Sequence, residues 1–253
     1  MIEISDNTNL KIDKVLDKEI IINKNVDLEL DIIKYLNLNL NITLEKNIKS
    51  NIYLITNHNI KLNLTINVDD NSSVKLFFGL FNKKSTTDIN INLIGKNSNS
   101  NFSLINLSNN NISTHNTLVN HLNNNTNSII INRTILNNNS NCLMNIKSNI
   151  KNDSINSNSN QNIEAIIFDN NSKVEMSPIL FIDENNVFAK HSSSVSKLND
   201  RDLYYLMSKG ISKEEANRMY ALNFLLKDTP IEKKEIIEKM IVRYIWIEKI
   251  FQC

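Results

Sequence analysis

Branched aliphatic residues alternate with polar residues, most often asparagine, along most of the first 200 residues of the chain. The pattern is clearest in residues 36–42 and 60–66, where every second residue is Leu or Ile and Asn, Lys or Thr stand between them. A period of two places the apolar side chains on one face of a β-strand. Disordered Asn-rich tracts lack such regular apolar positions, so the pattern predicts folded, half-buried strands.

Four further apolar runs, at residues 89–94, 102–107, 129–135 and 163–168, are separated by clusters of Asn and Ser. The chain has only 3 Gly but 49 Asn among its 253 residues. Asparagine tolerates the left-handed backbone conformation that turns require. We therefore predict that Asn forms the turns that glycine usually makes, and that some Asn side chains stack as amide ladders inside the coils.

Many short strands can form a sandwich, a barrel or a solenoid. The sequence contains no Asn-Gly, Asp-Gly or Gly-Gly pair, so the two-residue turns of β-hairpins are missing. This favours a parallel β-helix, in which each strand pairs with its equivalent one coil later, over an antiparallel meander. No fixed repeat period is visible, however, and the sandwich and the barrel stay open on the pattern alone.

Composition changes sharply near residue 199, because 47 of the 49 Asn lie in residues 1–200. We predict a β-helix core over residues 1–198 and a small α-helical domain over residues 199–253. A first helix covers residues 200–208 and ends at Lys209 and Gly210, and a second begins with a capping box at Ser212 and Glu215. A third is expected from an N-cap at Thr229 to about residue 250, with more apolar positions than packing within its own domain requires.

Composition also narrows the range of functions and the compartment. The net charge of +1 excludes a nucleic-acid binder that relies on bulk charge. No apolar run reaches the length of a membrane span, and no secretion signal is visible. Two cysteines cannot build a disulfide framework. We expect a soluble, cytoplasmic protein.

Catalytic motifs are missing from the sequence. The three glycines lie too far apart for a phosphate-binding loop. In the acidic pairs Asp69/Asp70 and Asp183/Glu184, adjacent strand residues point to opposite faces and cannot act on one substrate. His58, His115 and His121 are interpreted as surface polar residues, with a His115/His121 metal pair as the alternative. Cys142 is interpreted as a packing thiol. We therefore expect that the chain is not an enzyme.

One stretch carries a recognisable signature, which spans residues 172–182 and 186–216. It resembles the C-terminal pattern of the SufB/SufD family of iron–sulfur cluster assembly proteins, in which the last β-helix coils join a helical domain. Sixteen residues fall on that pattern with order and spacing kept: Pro178, Leu180, Ile182, Val187, Ala189, His191, Val195, Leu198, Leu203, Tyr205, Leu206, Ser208, Gly210, Ile211, Glu215 and Ala216. The resemblance implies a right-handed parallel β-helix, which agrees with the strand pattern.

The resemblance also implies a role. Members of this family are non-catalytic subunits on whose helical domain an ABC-type ATPase, SufC, docks, and a cluster assembles transiently where two β-helices meet. No stably bound cofactor is implied. The docking residues implied here are Leu203, Tyr205, Leu206, Gly210, Ile211, Ala216, Tyr220 and Phe224. The histidine that matches His191 lies at the subunit interface in SufD-like members and is implicated in cluster assembly; an interface or turn histidine without a ligand role is the alternative.

Departures from the pattern bear on which member the chain resembles. SufB-like chains carry a glutamate directly after this histidine and a cysteine about 28 residues before it, where this chain has Ser192 and Ile163. A missing thiolate favours SufD, and Cys142 is a weak substitute. The implied partner is therefore a SufB-like chain. Two alternatives stay open: a homodimeric SufB-like scaffold that carries the cluster itself, paired with a second copy, and a purely structural β-solenoid.

Overall fold

The computed structural model describes residues 1–12, 16–34, 36–81, 84–197 and 200–246, and it consists mainly of parallel β-structure. The chain passes alternately through two eight-stranded sheets, so that odd-numbered strands form sheet A and even-numbered strands form sheet B. One strand from each sheet makes one coil. The strands are β1 Ile2–Ile4, β2 Thr8–Ile12, β3 Leu16–Ile22, β4 Asp27–Ile32, β5 Leu36–Leu44, β6 Lys49–Thr56, β7 Ile60–Val68, β8 Ser73–Leu80, β9 Lys84–Leu93, β10 Asn99–Asn109, β11 Ile112–His121, β12 Asn127–Asn137, β13 Asn141–Ile150, β14 Asn158–Ile167, β15 Lys173–Ile182 and β16 Phe188–Lys197.

Each strand pairs in parallel with its equivalent in a neighbouring coil, which confirms the predicted solenoid. The alternating apolar residues face the interior between the two sheets. In β7, for example, every second residue from Ile60 to Val68 is buried. Because the interior of each coil stacks on the next, the Leu and Ile residues of β3 to β9 form one continuous hydrophobic core.

The coils widen along the chain. Paired residues in sheet A are 18 positions apart at the start (Ile2 and Ile20) and 32 apart at the end (Asn141 and Lys173). In sheet B the separation grows from 20 (Thr8 and Leu28) to 31 (Asn127 and Asn158). Strand length rises from 3 residues in β1 to 11 in β10 and β12. The solenoid is therefore tapered, which explains why the sequence shows no fixed repeat period.

Asparagine forms the corners between strands, as predicted. Within the described ranges the non-glycine residues with positive φ are eight asparagines and Asp153. The asparagines are Asn47, Asn71, Asn97, Asn110, Asn125, Asn138, Asn139 and Asn156. A buried Ser or Thr follows several of these asparagines, and its hydroxyl oxygen accepts the N–H of the corner residue one coil earlier; Ser72 Oγ accepts from Ile48 at 3.0 Å. These hydroxyls satisfy backbone groups that the turn leaves unpaired.

Asparagine ladders are present, but they lie on the outside of the solenoid. Asn63 Nδ2 donates to Asn39 Oδ1 at 2.7 Å, and Asn145 Nδ2 donates to Asn116 Oδ1 at 2.9 Å. These residues occupy the outward positions of sheet A and are exposed or half-buried. The prediction of ladders inside the coils was wrong in this respect, because the apolar residues of the alternating pattern take the inward positions.

Three helices follow the solenoid: α1 Asp200–Ser208, α2 Lys213–Leu226 and α3 Lys234–Trp246, the last preceded by a 3₁₀ turn at Ile231–Lys233. The predicted boundary at 198/199 and the end of the third helix lie outside the described residues. Two predicted caps are confirmed. Gly210 has φ +85 just after α1, and Ser212 Oγ accepts the Glu215 N–H at 3.1 Å. Among the described residues, no helix combines the length and apolarity that crossing a bilayer would take.

The predicted N-cap at Thr229 was wrong. Its hydroxyl donates to the Leu225 carbonyl oxygen at 2.9 Å and so closes the end of α2. Pro230 takes the N-cap position of the 3₁₀ turn, without a side-chain hydrogen bond to the cap. Because Pro230 is the N-cap residue of the 3₁₀ turn, Thr229 lies one residue before the cap and its hydroxyl bonds back to α2.

Helices α2 and α3 pack on the outer face of sheet B. A second hydrophobic cluster joins Tyr53, Phe77, Ile105, Leu107 and Ile135 of the sheet to Ala221, Leu225, Ile237 and Ile241 of the helices. Gly79 lies under α3, where an added Cβ would stand 2.9 Å from Ile237 Cδ1. Much of the apolar excess in the third helix therefore contacts the chain's own solenoid.

Polar contacts fix the same interface. Arg133, with a side chain only 2% exposed, donates from Nη1 to Glu164 at 2.6 Å and from Nε to Asp228 in the loop after α2. Its guanidinium carbon lies 5.1 Å from the centre of the Phe224 ring. Near the start of α3, Tyr53 donates to Glu232 at 2.7 Å and Lys233 pairs with Glu29. Burial, reinforced by Glu232, raises the pKa of Tyr53. The helices are thus held to the solenoid at both ends of the α2–α3 loop.

Candidate functional site: the terminal coil and the outer helical surface

The last coil, formed by β15 and β16 and here called the terminal coil, has an open side. Strand β15 pairs with β13 and β16 pairs with β14, and neither has a second strand partner among the described residues. Large apolar side chains are exposed there: Phe181, Ile182, Phe188 and Val195. A free parallel edge with exposed apolar residues is typical of a surface that binds another chain.

His191 lies in the middle of β16 and is exposed. It is in register with Gln161 of β14, whose side chain is fully buried in the preceding coil. The imidazole therefore extends the inward-facing column to the open side of the solenoid. The next residue, Ser192, donates from Oγ to Asn162 Oδ1 at 2.9 Å, which ties the strand to its neighbour. An accessible imidazole can bind a metal ion or accept a proton.

Cys142 does not reach this surface. It is 3% exposed, inside the coil, and burial raises the pKa of its thiol to about 11. At neutral pH the group is therefore a protonated thiol without access to solvent, as expected for a packing residue. Ile163 is also fully buried, in register with Ser193. Cys253 lies outside the described residues.

The interpretation of His115 and His121 as surface residues was wrong, since both are fully buried. In β11 the polar residues face inward and apolar Ile112 is 65% exposed, so the usual alternation is inverted. His115 Nδ1 lies 3.0 Å from Thr87 Oγ1, and His121 contacts Thr126 and Ser128 at 2.7 and 2.9 Å. Their neighbours are hydroxyls, and the described part of the chain holds no group of three or more His, Cys, Asp or Glu placed to bind a metal ion.

The residues implied in ATPase docking divide into three groups by exposure. Leu203 and Ala216 are buried within the helical part and hold it together. Leu206, Ile211, Tyr220 and Phe224 are half-buried, with Phe224 against Arg133. Tyr205, 64% exposed, and Gly210 are open to solvent. The family pattern selects residues by position and does not separate those that support a surface from those that form it.

On α1 and α2, three exposed large apolar side chains are not among the implied docking residues: Tyr204, Met207 and Met219. We call these three residues, together with exposed Tyr205, the outer helical surface. Tyr204 is 72% exposed and lies three residues before Met207, a spacing that puts both on one helix face. That spacing was readable in the sequence, but which face of α1 is buried depends on Leu203 packing against its neighbours. Arg133 was also missed, because its partner Asp228 is 95 residues away.

Residues 33–224 match the family model described as SUF system FeS cluster assembly, SufBD core domain. SufD of Bacillus subtilis is 37% identical over 93 residues, which cover 35% of this chain and 21% of that protein. SufB of the same organism is 38% identical over 77 residues, which cover 29% of this chain and 17% of that protein. A SufBD family protein of Staphylococcus saprophyticus is 36% identical over 77 residues, with the same coverage of both chains. The matched segments span about a fifth of these relatives. The family model covers most of the chain and agrees with the parallel solenoid, so the chain belongs to the SufBD core family of iron–sulfur cluster assembly proteins.

Proposed function

We propose that the chain is a non-catalytic, SufD-like subunit of a cytoplasmic iron–sulfur cluster assembly complex. The observation that carries the choice of SufD over SufB is chemical. Building a cluster needs a soft donor, and the described residues place no thiol at the terminal coil. Cys142 is buried, and Ile163 fills the interior position at which SufB-like chains carry a cysteine in the family pattern. A chain of this kind assists a partner that supplies the thiolate.

The terminal coil is the surface through which this subunit pairs with a SufB-like chain. Its free strand edges offer backbone hydrogen bonds, and Phe181, Phe188 and Val195 offer apolar area. His191 stands on this surface, where it would lie at the interface once a partner strand is added. There its imidazole receives iron, or a proton, while the cluster forms as cargo between the two chains.

The outer helical surface is where a SufC-type ATPase docks. Tyr204, Tyr205 and Met207 project from α1, away from the cluster that joins α2 and α3 to sheet B. Aromatic and Met side chains are enriched at the centres of protein interfaces. Since Arg133 and Tyr53 tie the loop after α2 to the sheet, a displacement imposed on the helices is passed to the solenoid.

Co-expression with the SufC-type ATPase of the same organism, followed by native mass spectrometry, tests the docking. Removing the helices is a poor variant, because it uncovers Phe77 and Ile105 on sheet B. We use Tyr204→Ala with Tyr205→Ala instead, and Ile112→Ala, at a side chain that is 65% exposed on the solenoid, as the matched control. The complex should form with the wild type and the control and be lost in the double variant. Equal binding by all three would exclude this surface.

His191→Ala tests the role at the terminal coil. In the assembled complex with a SufB-like chain, iron and sulfide incorporation should fall in the variant while complex formation and the unfolding midpoint stay the same. His58→Ala is the control, since His58 lies at a corner far from β16 in the chain. Unchanged incorporation in His191→Ala would remove this residue from cluster assembly. Iron and sulfide bound by the chain alone, as a dimer of two copies, would favour the homodimeric scaffold instead.

A further inference from the structure

The interior of the solenoid changes in chemistry halfway along its axis. In β3 to β8 the inward residues are almost all Leu, Ile, Val and Phe. From β9 to β14 buried polar residues take many of these positions: Ser85, Thr87, Asn106, Ser113, His115, Asn132, Thr134, Ser148 and Gln161. The later coils are also the wider ones, with up to 32 residues between paired positions. Width and polarity therefore increase together.

Several of these buried polar atoms have no hydrogen-bond partner among the described protein groups. They are His115 Nε2, Asn106 Oδ1, Gln161 Oε1, Ser85 Oγ and both amide atoms of Asn132. Each belongs to a side chain that is at most 1% exposed. Buried polar atoms in native proteins are nearly always hydrogen-bonded, to protein or to ordered water.

These side chains occupy inward positions of their strands, in the interior between the two sheets. Asn106 Nδ2 lies 3.0 Å from Ser108 Oγ of the same strand and 3.5 Å from Ser113 Oγ of β11, and its Oδ1 has no partner. Thr134 Oγ1 and Met144 Sδ, 3.9 Å apart, cross from β12 to β13 in the next coil. Gln161 Nε2 donates to Ser148 Oγ at 2.8 Å one coil further.

The partner that fits these atoms must both donate and accept. Asn132 presents an unpaired donor and an unpaired acceptor together, and a neutral imidazole presents one or the other at Nε2. None of the inward positions of β9 to β14 carries Asp, Glu, Lys or Arg, so no countercharge is available for an ion. A small neutral molecule with both functions is required, and water has them.

We propose that the coils from β9 to β14 hold ordered internal water molecules, bonded to His115, Asn106, Asn132 and Gln161. They complete the hydrogen bonding of a polar core that the protein groups leave incomplete. The early coils, which are narrower and filled by Leu and Ile, remain dry.

The thermal stability of Asn132→Leu distinguishes a hydrated core from a dry one. Leu104 and Ile163 occupy the same column in the neighbouring coils, so an aliphatic side chain of this size fits the site. If a water molecule bonds Asn132, the variant removes one of its hydrogen-bond partners and leaves the water and its other partners incompletely bonded. The unfolding temperature then falls by a few degrees. If the amide is simply unpaired, its replacement by Leu raises the unfolding temperature.

Oxygen-17 magnetic relaxation dispersion of the solvent counts long-lived internal water molecules directly. It is measured first on the wild-type chain. We expect a clear contribution from the wild type, a loss equal to at least one molecule in Asn132→Leu, and no loss in the control Ile163→Leu, which changes an apolar residue of the same column. A wild-type chain without long-lived water would overturn the proposal even if the variant failed to fold. An unchanged oxygen-17 dispersion amplitude in Asn132→Leu, together with a raised unfolding temperature, would also overturn the proposal.

Discussion

Eight asparagines hold φ between 51° and 63° at the corners of the solenoid. In this region an L-residue brings Cβ close to the carbonyl oxygen, a penalty that Asn reduces by local polar contacts and that Gly avoids. A chain with 3 Gly and two sheets to connect has to use Asn there. This residue preference is local, which is why the turn role of Asn could be predicted from sequence.

Asn125 offers a test of the corner requirement, since it is exposed and has φ 58. Asn125→Ala should lower the free energy of unfolding by about 1 kcal/mol, whereas Asn125→Gly should leave it within a few tenths. Urea unfolding measures both. Asn185→Ala, at an exposed asparagine without positive φ, is the control and should cost little. Equal losses in the Ala and Gly variants would mean that the side chain, not the backbone conformation, matters at Asn125.

Stability should fall on mild acidification because of the buried histidines. Burial lowers the pKa of His115 and His121 from 6.5 to about 4. Between these values the unfolded chain binds protons that the folded chain does not, so stability is complete above the unfolded pKa and is lost as the pH falls toward 4. At about pH 4.5 each histidine should cost roughly 2 kcal/mol relative to about pH 7.5.

Urea unfolding at these two pH values, on wild type and His115→Gln, checks this prediction. The variant should show a smaller loss of stability between them. His191→Gln, which changes an exposed side chain, should lose as much as the wild type. The same loss in all three proteins would assign the acid sensitivity to other groups. The burial of His115 itself was not predictable, because in β11 no apolar alternation marks the inward face.

At the scale of elements, sheet B differs from sheet A because helices cover its outer face. Strands β8, β10 and β12 have buried residues on both faces in their second halves, as in Phe77 and Phe78 or Ile135 and Leu136. The strands, the capping box at Ser212 and the helix end at Gly210 follow from period and local residue types. Which sheet the helices cover does not, because it depends on contacts such as Arg133 with Asp228 between distant parts of the chain.

Arg133→Met should weaken the attachment of the helices. The variant leaves Glu164 and Asp228 near each other without a cation, although each is about a quarter exposed and keeps some solvent. We expect a loss of about 2 kcal/mol in the free energy of unfolding, less than for a completely buried pair. Lys239→Met, which breaks the exposed pair with Glu235, is the control and should cost under about 0.5 kcal/mol. Similar costs for the two would show that Arg133 is not an anchor.

Gly79→Ala should push α3 from sheet B, because the new Cβ would lie 2.9 Å from Ile237 Cδ1. The expected loss is about 1 to 2 kcal/mol, since the obstructing atom is the end of a side chain that can shift. Adding Ile237→Val removes that atom. The double variant should therefore lose less free energy of unfolding than the two single variants lose together. Thermal unfolding of the four proteins gives the coupling, and strict additivity would contradict this packing.

At the scale of the molecule, the terminal coil should control association. Phe188→Asp introduces a charge at a side chain that is 60% exposed, so the fold should tolerate it, while pairing with a SufB-like chain or a second copy should be lost. Sedimentation velocity measures the assembly and thermal unfolding the fold. Ile112→Asp, at 65% exposure on β11, should leave pairing intact. Loss of pairing in both variants would indicate a general effect of charge.

The taper has a consequence for how copies of the chain can associate. An open strand edge at each end of a solenoid invites head-to-tail stacking, which does not close and produces filaments. Among the described strands, β1 has 3 residues and β15 and β16 have 10, so the width of the first described coil does not match that of the terminal coil. The free edges of β15 and β16 can pair over their full length only with strands of similar length. Within the described residues, the taper therefore disfavours stacking of the narrow first coil on the terminal coil and favours pairing between two terminal coils.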